Sequence, residues 1–120
     1  MATLDIGEIE RKKNERKDLL QSSLERLLPH LERMGAVKVV VFGSLVDGNV
    51  HSGSDLDLLV VMPQGRSGRE WSRLIHAEVD RAVASDIIVF NVAELEEEVR
   101  VNVLLRQILE YGRSVLEKDA

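Results

Sequence analysis

The segment VVVFGSLVDGNVHSGSDLDLLVVM, Val39 to Met62, carries the strongest structural signal in the sequence. Its two apolar runs, VVVF and LLVVM, have the β-branched and aliphatic composition that predicts strands buried on both faces. A loop rich in Gly and Ser separates them, and the second strand opens on Asp55 and Asp57. Because alternate residues of a strand face the same side, the two carboxylates should project together, about 6–7 Å apart.

Two carboxylates on one side of a buried strand repel each other and resist burial unless a cation lies between them. Mg²⁺ suits this position because it prefers hard oxygen ligands and substrate phosphates. Asp86 belongs to the third predicted strand, Ser85 to Phe90, and could complete the site if that strand lies alongside. Three carboxylates can hold two metal ions about 3.5–4 Å apart, an arrangement that serves phosphoryl chemistry.

Gly43 and Ser44 directly follow the first predicted strand. At such a position backbone N–H groups and a hydroxyl can meet phosphate oxygens, and a glycine lets the chain approach them closely. Each feature alone has a structural explanation. An Asp-x-Asp pair can occur by chance, Gly-Ser is an ordinary turn, and Asp86 could be a strand-edge charge. Their combination in this order favours a functional site.

The remaining pattern predicts helices that alternate with the strands, and therefore an α/β (α+β) fold with a single sheet. The expected helices are a leucine-striped one from about Ile9 that Pro29 kinks or restarts and Gly35 ends, one from the Ser67–Glu70 capping box to about Val83, and one from about Ala93 to Tyr111. A loop is expected between the first two strands, and Val115-Leu116 could add a short terminal strand.

The composition indicates one small domain. The 120 residues are 44% hydrophobic and 31% charged, and the net charge of −5 argues against a general nucleic-acid binder. The absence of cysteine excludes disulfides and thiolate sites. No signal-peptide pattern and no apolar run long enough to span a bilayer occurs, so we expect a soluble cytoplasmic protein without membrane attachment.

Taken together, these motifs resemble those of one family. The matching residues are Phe42-Gly43-Ser44, Gly48, Ser54 to Val60, Asp86-Ile87-Ile88 and, more weakly, Ile108 to Gly112 with Val115-Leu116. They resemble the minimal nucleotidyltransferases, the small stand-alone bacterial branch of the DNA polymerase β-like nucleotidyltransferase superfamily. The resemblance implies a nucleotidyltransferase fold, with a small mixed β-sheet flanked by helices, in a single domain of residues 19–120. Residues 1–18 would form a charged N-terminal helical extension, either a solvated helix face or an arm that grips a partner or a second copy.

The resemblance also implies roles for individual residues. Asp55, Asp57 and Asp86 would be the catalytic carboxylates that bind Mg²⁺, with two ions expected, and Asp86 could also act as general base. Gly43 and Ser44 would bind the β and γ phosphates of ATP. AMP would pass to a hydroxyl. In the stand-alone branch the acceptor is typically a tyrosine of a HEPN-domain ribonuclease toxin, so the protein would be the antitoxin of a toxin–antitoxin pair.

One position departs from the family pattern. Asp47 precedes Gly48, where relatives often carry a basic residue that can meet phosphates. An acidic residue there should weaken nucleotide binding unless it points away, and Lys38, Arg66 or Arg69 could supply the missing positive charge. Two alternatives to an antitoxin enzyme therefore stay open: a non-catalytic module that neutralises its partner by contact, and a small-molecule nucleotidyltransferase, for which the chain is short. Self-association also stays open.

Overall fold

The computed structural model describes residues 5–79 and 85–118, and these residues form five helices and four strands. In chain order the elements are α1 (Ile6–Met34), β1 (Lys38–Phe42), α2 (Ser44–Asp47), β2 (Leu56–Met62), α3 (Gly68–Glu78), β3 (Ser85–Asn91), α4 (Val92–Glu98), α5 (Val103–Tyr111) and β4 (Arg113–Glu117).

The four strands form one mixed sheet in the order β3-β2-β1-β4. Strand β1 runs antiparallel to both β2 and β4, whereas β2 and β3 are parallel. The parallel pair requires a crossover, and the chain makes it through the segment that contains α3. The predicted α/β architecture with a single sheet, the mixed sheet implied by the family resemblance and the short terminal strand are all confirmed.

Strand β2 is the centre of the protein because both of its faces are covered. Leu56, Leu58 and Val60 pack in the cluster that contains the leucine stripe of α1 and Ile75 of α3. Leu59 and Val61 pack in a second cluster with the apolar side chains of α4 and α5. All five side chains are essentially inaccessible to solvent. The continuous apolar run in the sequence is therefore explained by a three-layer arrangement of helices, sheet and helices.

Helix α1 is one continuous element from the charged N-terminal residues into the leucine stripe. It begins at Asp5, whose side chain accepts a hydrogen bond from the Glu8 backbone N–H at 3.3 Å. It ends at Gly35, which adopts the left-handed conformation that favours glycine. The predicted restart at Pro29 does not occur, since the helix continues through this residue. The proline ring is exposed, and its effect is limited to the loss of one backbone N–H donor.

Three other expected boundaries are wrong. The segment after β1 is not all loop, since Ser44–Asp47 form a short helix. Helix α3 ends at Glu78, since Val79 is extended, and Val83, its predicted end, lies outside the described part of the chain with the rest of residues 80–84. The last predicted helix is two helices, because Asn102 caps a new one by accepting a hydrogen bond from the Leu105 N–H at 3.0 Å. No helix within residues 5–79 and 85–118 is long and apolar enough to cross a membrane.

Candidate functional site

The acidic residues singled out in the sequence meet at one end of the sheet, where β1 ends and the parallel strands β2 and β3 begin. Asp57 of β2 is in register with Phe42 of β1 on one side and with Asp86 of β3 on the other. Residues in register on neighbouring strands project from the same face of a sheet. The carboxylates of Asp57 and Asp86 therefore lie side by side, and Asp55 precedes β2 by one residue.

Gly43 fits against this acidic cluster. Its backbone has φ 78° and ψ −149°, a conformation that side-chain-bearing residues rarely adopt. A Cβ at this position would overlap the Asp57 carboxylate, since it would lie 3.1 Å from Cγ and still closer to Oδ2. The Gly-Ser turn thus runs directly beside Asp57, and only a glycine leaves room for both the turn and the carboxylate.

Ser44 begins the short helix α2 next to this turn. The Gly43 carbonyl accepts hydrogen bonds from the N–H groups of Val46 and Asp47, at 3.1 and 2.9 Å, and the turn is thereby closed. The Ser44 side chain is half-buried and makes no hydrogen bond to any residue in 5–79 or 85–118. Its hydroxyl is consequently available to a ligand bound at the sheet end.

The electrostatics of the cluster are unfavourable without a cation. Partial burial raises the pKa of Asp57 above its ordinary value, and the neighbouring charges of Asp86 and Asp55 raise it further. Within the described ranges, none of these three carboxylates has a hydrogen-bond donor or a basic side chain as partner. Like charges held together without compensation are expected where a charged ligand is to bind.

The donor set suits a divalent cation, although the three side chains do not already form a metal-binding arrangement. In residues 5–79 and 85–118 no group of three or more His, Cys, Asp or Glu side chains already has a metal-binding arrangement. Asp55 and Asp86 are exposed and unpaired in this part of the chain, so their side chains are free to turn toward a cation beside Asp57. Carboxylate oxygens are the ligands that Mg²⁺ prefers. We conclude that the residues present fit such an ion.

The basic residues considered in the sequence do not reach this end of the sheet. Lys38 begins β1, about 13 Å along the strand from Phe42, and its Nζ lies 2.9 Å from Glu117 Oε1. Arg66 follows the far end of β2 and stacks over Trp71, 5.5 Å from the ring centroid. Arg69 lies in the first turn of α3 at the same far end and is exposed. The expectation that one of them compensates for Asp47 is wrong.

Asp47 itself points into a different environment. It is exposed and lines a cleft of about 360 Å³ together with Phe42, Leu104 and Tyr111, among other residues. The acidic neighbours that raise the pKa of Asp57 are Asp86 and Asp55. Asp47 therefore borders the site from the side of α5 without belonging to the carboxylate cluster.

Sequence reasoning missed one residue at this end of the sheet. Arg16 of α1 donates from Nε to the Ser54 carbonyl at 2.7 Å, and that carbonyl belongs to the peptide bond that leads into Asp55. A signal was present, because Arg16 lies four residues before Leu20 and so continues the buried leucine stripe of α1. A basic residue on the buried face of a helix indicates a specific partner.

Comparison with known proteins gives a family assignment that agrees with this geometry. A model of the nucleotidyltransferase domain matches residues 20–116, which is most of the chain. No curated protein sequence matches this chain significantly. Among solved structures, a chain from Sulfolobus solfataricus that is provisionally named a nucleotidyltransferase is 18% identical, with a TM-score of 0.48 over 72% of this chain and 77% of that one. The assignment rests on the family model alone: this chain belongs to the nucleotidyltransferase domain family.

Proposed function

We propose that the chain is a metal-dependent nucleotidyltransferase that transfers AMP from ATP to a tyrosine hydroxyl of a HEPN-domain toxin, and that it thereby acts as an antitoxin. Nucleotidyltransferase domains generally use a nucleoside triphosphate and a divalent metal ion, and the family match supports nucleotidyl transfer in general. One observation carries the proposal: the register that brings Asp57 beside Asp86, with Asp55 and Gly43 next to them.

Each residue of the cluster has a role in the proposed reaction. Asp55, Asp57 and Asp86 would hold Mg²⁺, which supplies stabilisation of the negative charge on the phosphates when it is bound. Gly43 and Ser44 would contact the β and γ phosphates through the backbone and the unpaired hydroxyl. The absence of a side chain at Gly43 is what lets a triphosphate approach the carboxylates.

The proposed chemistry is one in-line displacement. The acceptor oxygen forms a bond to the α-phosphorus while the bond from that phosphorus to the bridging oxygen of the β-phosphate breaks, and pyrophosphate leaves. Asp86 takes the proton of the attacking hydroxyl. Asp86 is exposed, so a hydroxyl carried on another protein could reach it.

The surface beside the cluster favours a protein acceptor over a sugar-like small molecule. Val103, Leu104 and Tyr111 of α5 are 60%, 58% and 71% exposed. Leu104 and Tyr111 border the 360 Å³ cleft with Phe42, the residue in register with Asp57. Exposed apolar side chains around a cleft are characteristic of surfaces that bind proteins.

The test is label transfer to the toxin. We expect ATP labelled at the α-phosphate to label the product of a neighbouring reading frame that carries the Arg-x₄₋₆-His pattern of HEPN ribonucleases, and ATP labelled at the γ-phosphate to leave it unlabelled. The Asp55→Asn, Asp57→Asn double variant should abolish transfer. The matched control is Asp18→Asn, which removes an exposed aspartate of α1 and should leave transfer unchanged.

The alternatives predict different results. Neutralisation of the toxin that survives the double Asn variant, with no label transferred by the wild type, would indicate a binding module that acts by contact. Label that appears on a small molecule and never on the protein would indicate a small-molecule nucleotidyltransferase. Either result would overturn the proposed function.

A further inference from the structure

The loop that leads into β2 is fixed by its own hydrogen bonds. The backbone N–H of His51 donates to Ser54 Oγ at 2.9 Å, and the Ser54 N–H donates to the His51 carbonyl at 3.0 Å. The Gly53 N–H donates to His51 Nδ1 at 3.1 Å. Ser54 is only 5% exposed although it is polar. The loop is thus a closed turn that delivers the chain to Asp55 in a defined direction.

One contact joins this turn to a distant part of the chain. Arg16 lies 38 residues away on α1, and its Nε donates to the Ser54 carbonyl at 2.7 Å in a partly buried setting. That carbonyl and the Asp55 N–H belong to the same peptide group. A hydrogen bond from a charged donor is stronger than a neutral one, and a guanidinium holds its partner in a fixed direction. Arg16 therefore orients the peptide plane immediately before the Asp55 Cα.

Asp55 depends on this contact more than the other two acids do. Asp57 and Asp86 are fixed by the sheet, because each lies in the ladder between β2 and β3. Asp55 precedes β2 and is in register with no residue of β1 or β3. Its position is set by the turn before it, and the turn is held from outside by Arg16.

We propose that Arg16 is a positioning residue that holds Asp55 in place for binding a divalent cation, a role that rests on the proposed function. The N-terminal half of α1 then contributes to the functional site and is required for metal binding. Arg16 precedes the region that the family model matches, which starts at residue 20. The role of Arg16 is therefore inferred from the contact in this chain and not from the family match.

The experiment measures Mn²⁺ binding and local hydrogen exchange on the full chain without nucleotide. Arg16→Met keeps the aliphatic stem and removes the donor, whereas Arg16→Lys keeps the positive charge and an N–H donor but not the planar guanidinium. Lys12→Met removes a positive charge one helical turn earlier, at an exposed position, and serves as the matched control. Electron paramagnetic resonance of free Mn²⁺ gives the dissociation constant, and mass spectrometry follows amide exchange over residues 51–57.

We expect Arg16→Met to weaken Mn²⁺ binding by about 10-fold or more, the usual effect of losing a residue that orients a metal ligand. Exchange over residues 51–55 should accelerate while exchange in β2 stays slow. Arg16→Lys should recover part of the affinity, and Lys12→Met should behave as the wild type. Wild-type affinity together with wild-type exchange in Arg16→Met would overturn the proposal.

Failure of the proposed function is distinguishable from failure of this inference. A wild-type chain that binds no Mn²⁺ contradicts the metal-dependent reaction, and the role of Arg16 is then judged by exchange alone. In that case faster exchange confined to residues 51–55 in Arg16→Met supports the positioning of the Ser54–Asp55 peptide, and unchanged exchange overturns it.

Discussion

The close approach of Gly43 to Asp57 makes Gly43→Ala the most informative single substitution. The added methyl has two separate costs. An L-residue held at φ 78° and ψ −149° costs about 1–3 kcal/mol of backbone strain. Relieving the overlap of the new Cβ with the Asp57 carboxylate adds a packing cost of about 1–3 kcal/mol. We expect the free energy of unfolding to fall by about 2–6 kcal/mol.

Gly48→Ala is the control variant, because it has a backbone cost without a packing cost. Gly48 also has a positive φ, 80°, but a Cβ there would meet no atom within 4 Å. The substitution therefore carries only a left-handed backbone penalty of about 1–2 kcal/mol. The difference between the two variants, about 1–4 kcal/mol, reports the contact between the turn and the Asp57 carboxylate together with the greater backbone strain at Gly43, whose ψ is −149° against 13° at Gly48.

Chemical denaturation followed by circular dichroism measures both variants, since a small domain of this size is expected to unfold in one cooperative step. In thermal melts the same difference should place Gly43→Ala about 4–16 °C below Gly48→Ala. Equal losses of stability in the two variants would contradict this prediction, because they would mean that Gly43 does not pack against Asp57.

Three further predictions test the electrostatics and the packing. The pKa of Asp57 is raised in the folded state, so stability should fall as the pH rises from its unfolded value of about 3.8 through the folded value. Metal-free Asp57→Asn should therefore be more stable than the wild type at pH 7 but not at pH 3, and a pH-independent difference would contradict this. Ser23 Oγ is buried without a hydrogen-bond partner among the described residues, so Ser23→Ala should raise the free energy of unfolding by about 1 kcal/mol. A lower free energy of unfolding for Ser23→Ala in urea denaturation would refute this prediction. Glu94 accepts hydrogen bonds from the N–H groups of Gly68 and Asn91, both at 2.8 Å. Glu94→Ala should therefore lower the free energy of unfolding by about 1–3 kcal/mol. An unchanged denaturation midpoint would show that the two donors find other partners.

The sheet could be predicted from the sequence because its central strand is buried on both faces. The run Leu58–Met62 has no polar side to present to water, and only a layer of helices on each face satisfies it. The positions of Asp55, Asp57 and Asp86 at strand starts followed from the same runs. Their side-by-side placement did not, because the register of β2 with β3 is a tertiary property.

The parts that escaped prediction depend on single side-chain contacts. The apolar pattern runs across the break between α4 and α5, and only the capping hydrogen bond of Asn102 shows that a second helix begins there. The contact of Arg16 with Ser54 joins residues 38 apart, so the leucine stripe of α1 could mark Arg16 as a residue with a partner but could not identify that partner. Asp47 suggested that a basic residue elsewhere compensates for its charge. Lys38 instead pairs with Glu117 and Arg66 stacks over Trp71, both away from the end of the sheet where Asp57 lies.

Paramagnetic broadening of amide NMR signals by Mn²⁺ shows where on the chain a divalent cation binds. At low Mn²⁺ we expect the signals of Gly43, Ser44, Asp55, Asp57 and Asp86 to broaden before all others in the full chain, and Asp57→Asn to remove the effect. Broadening that spreads evenly over the acidic surface, or that centres on another group of residues, would contradict a divalent site formed by these three carboxylates.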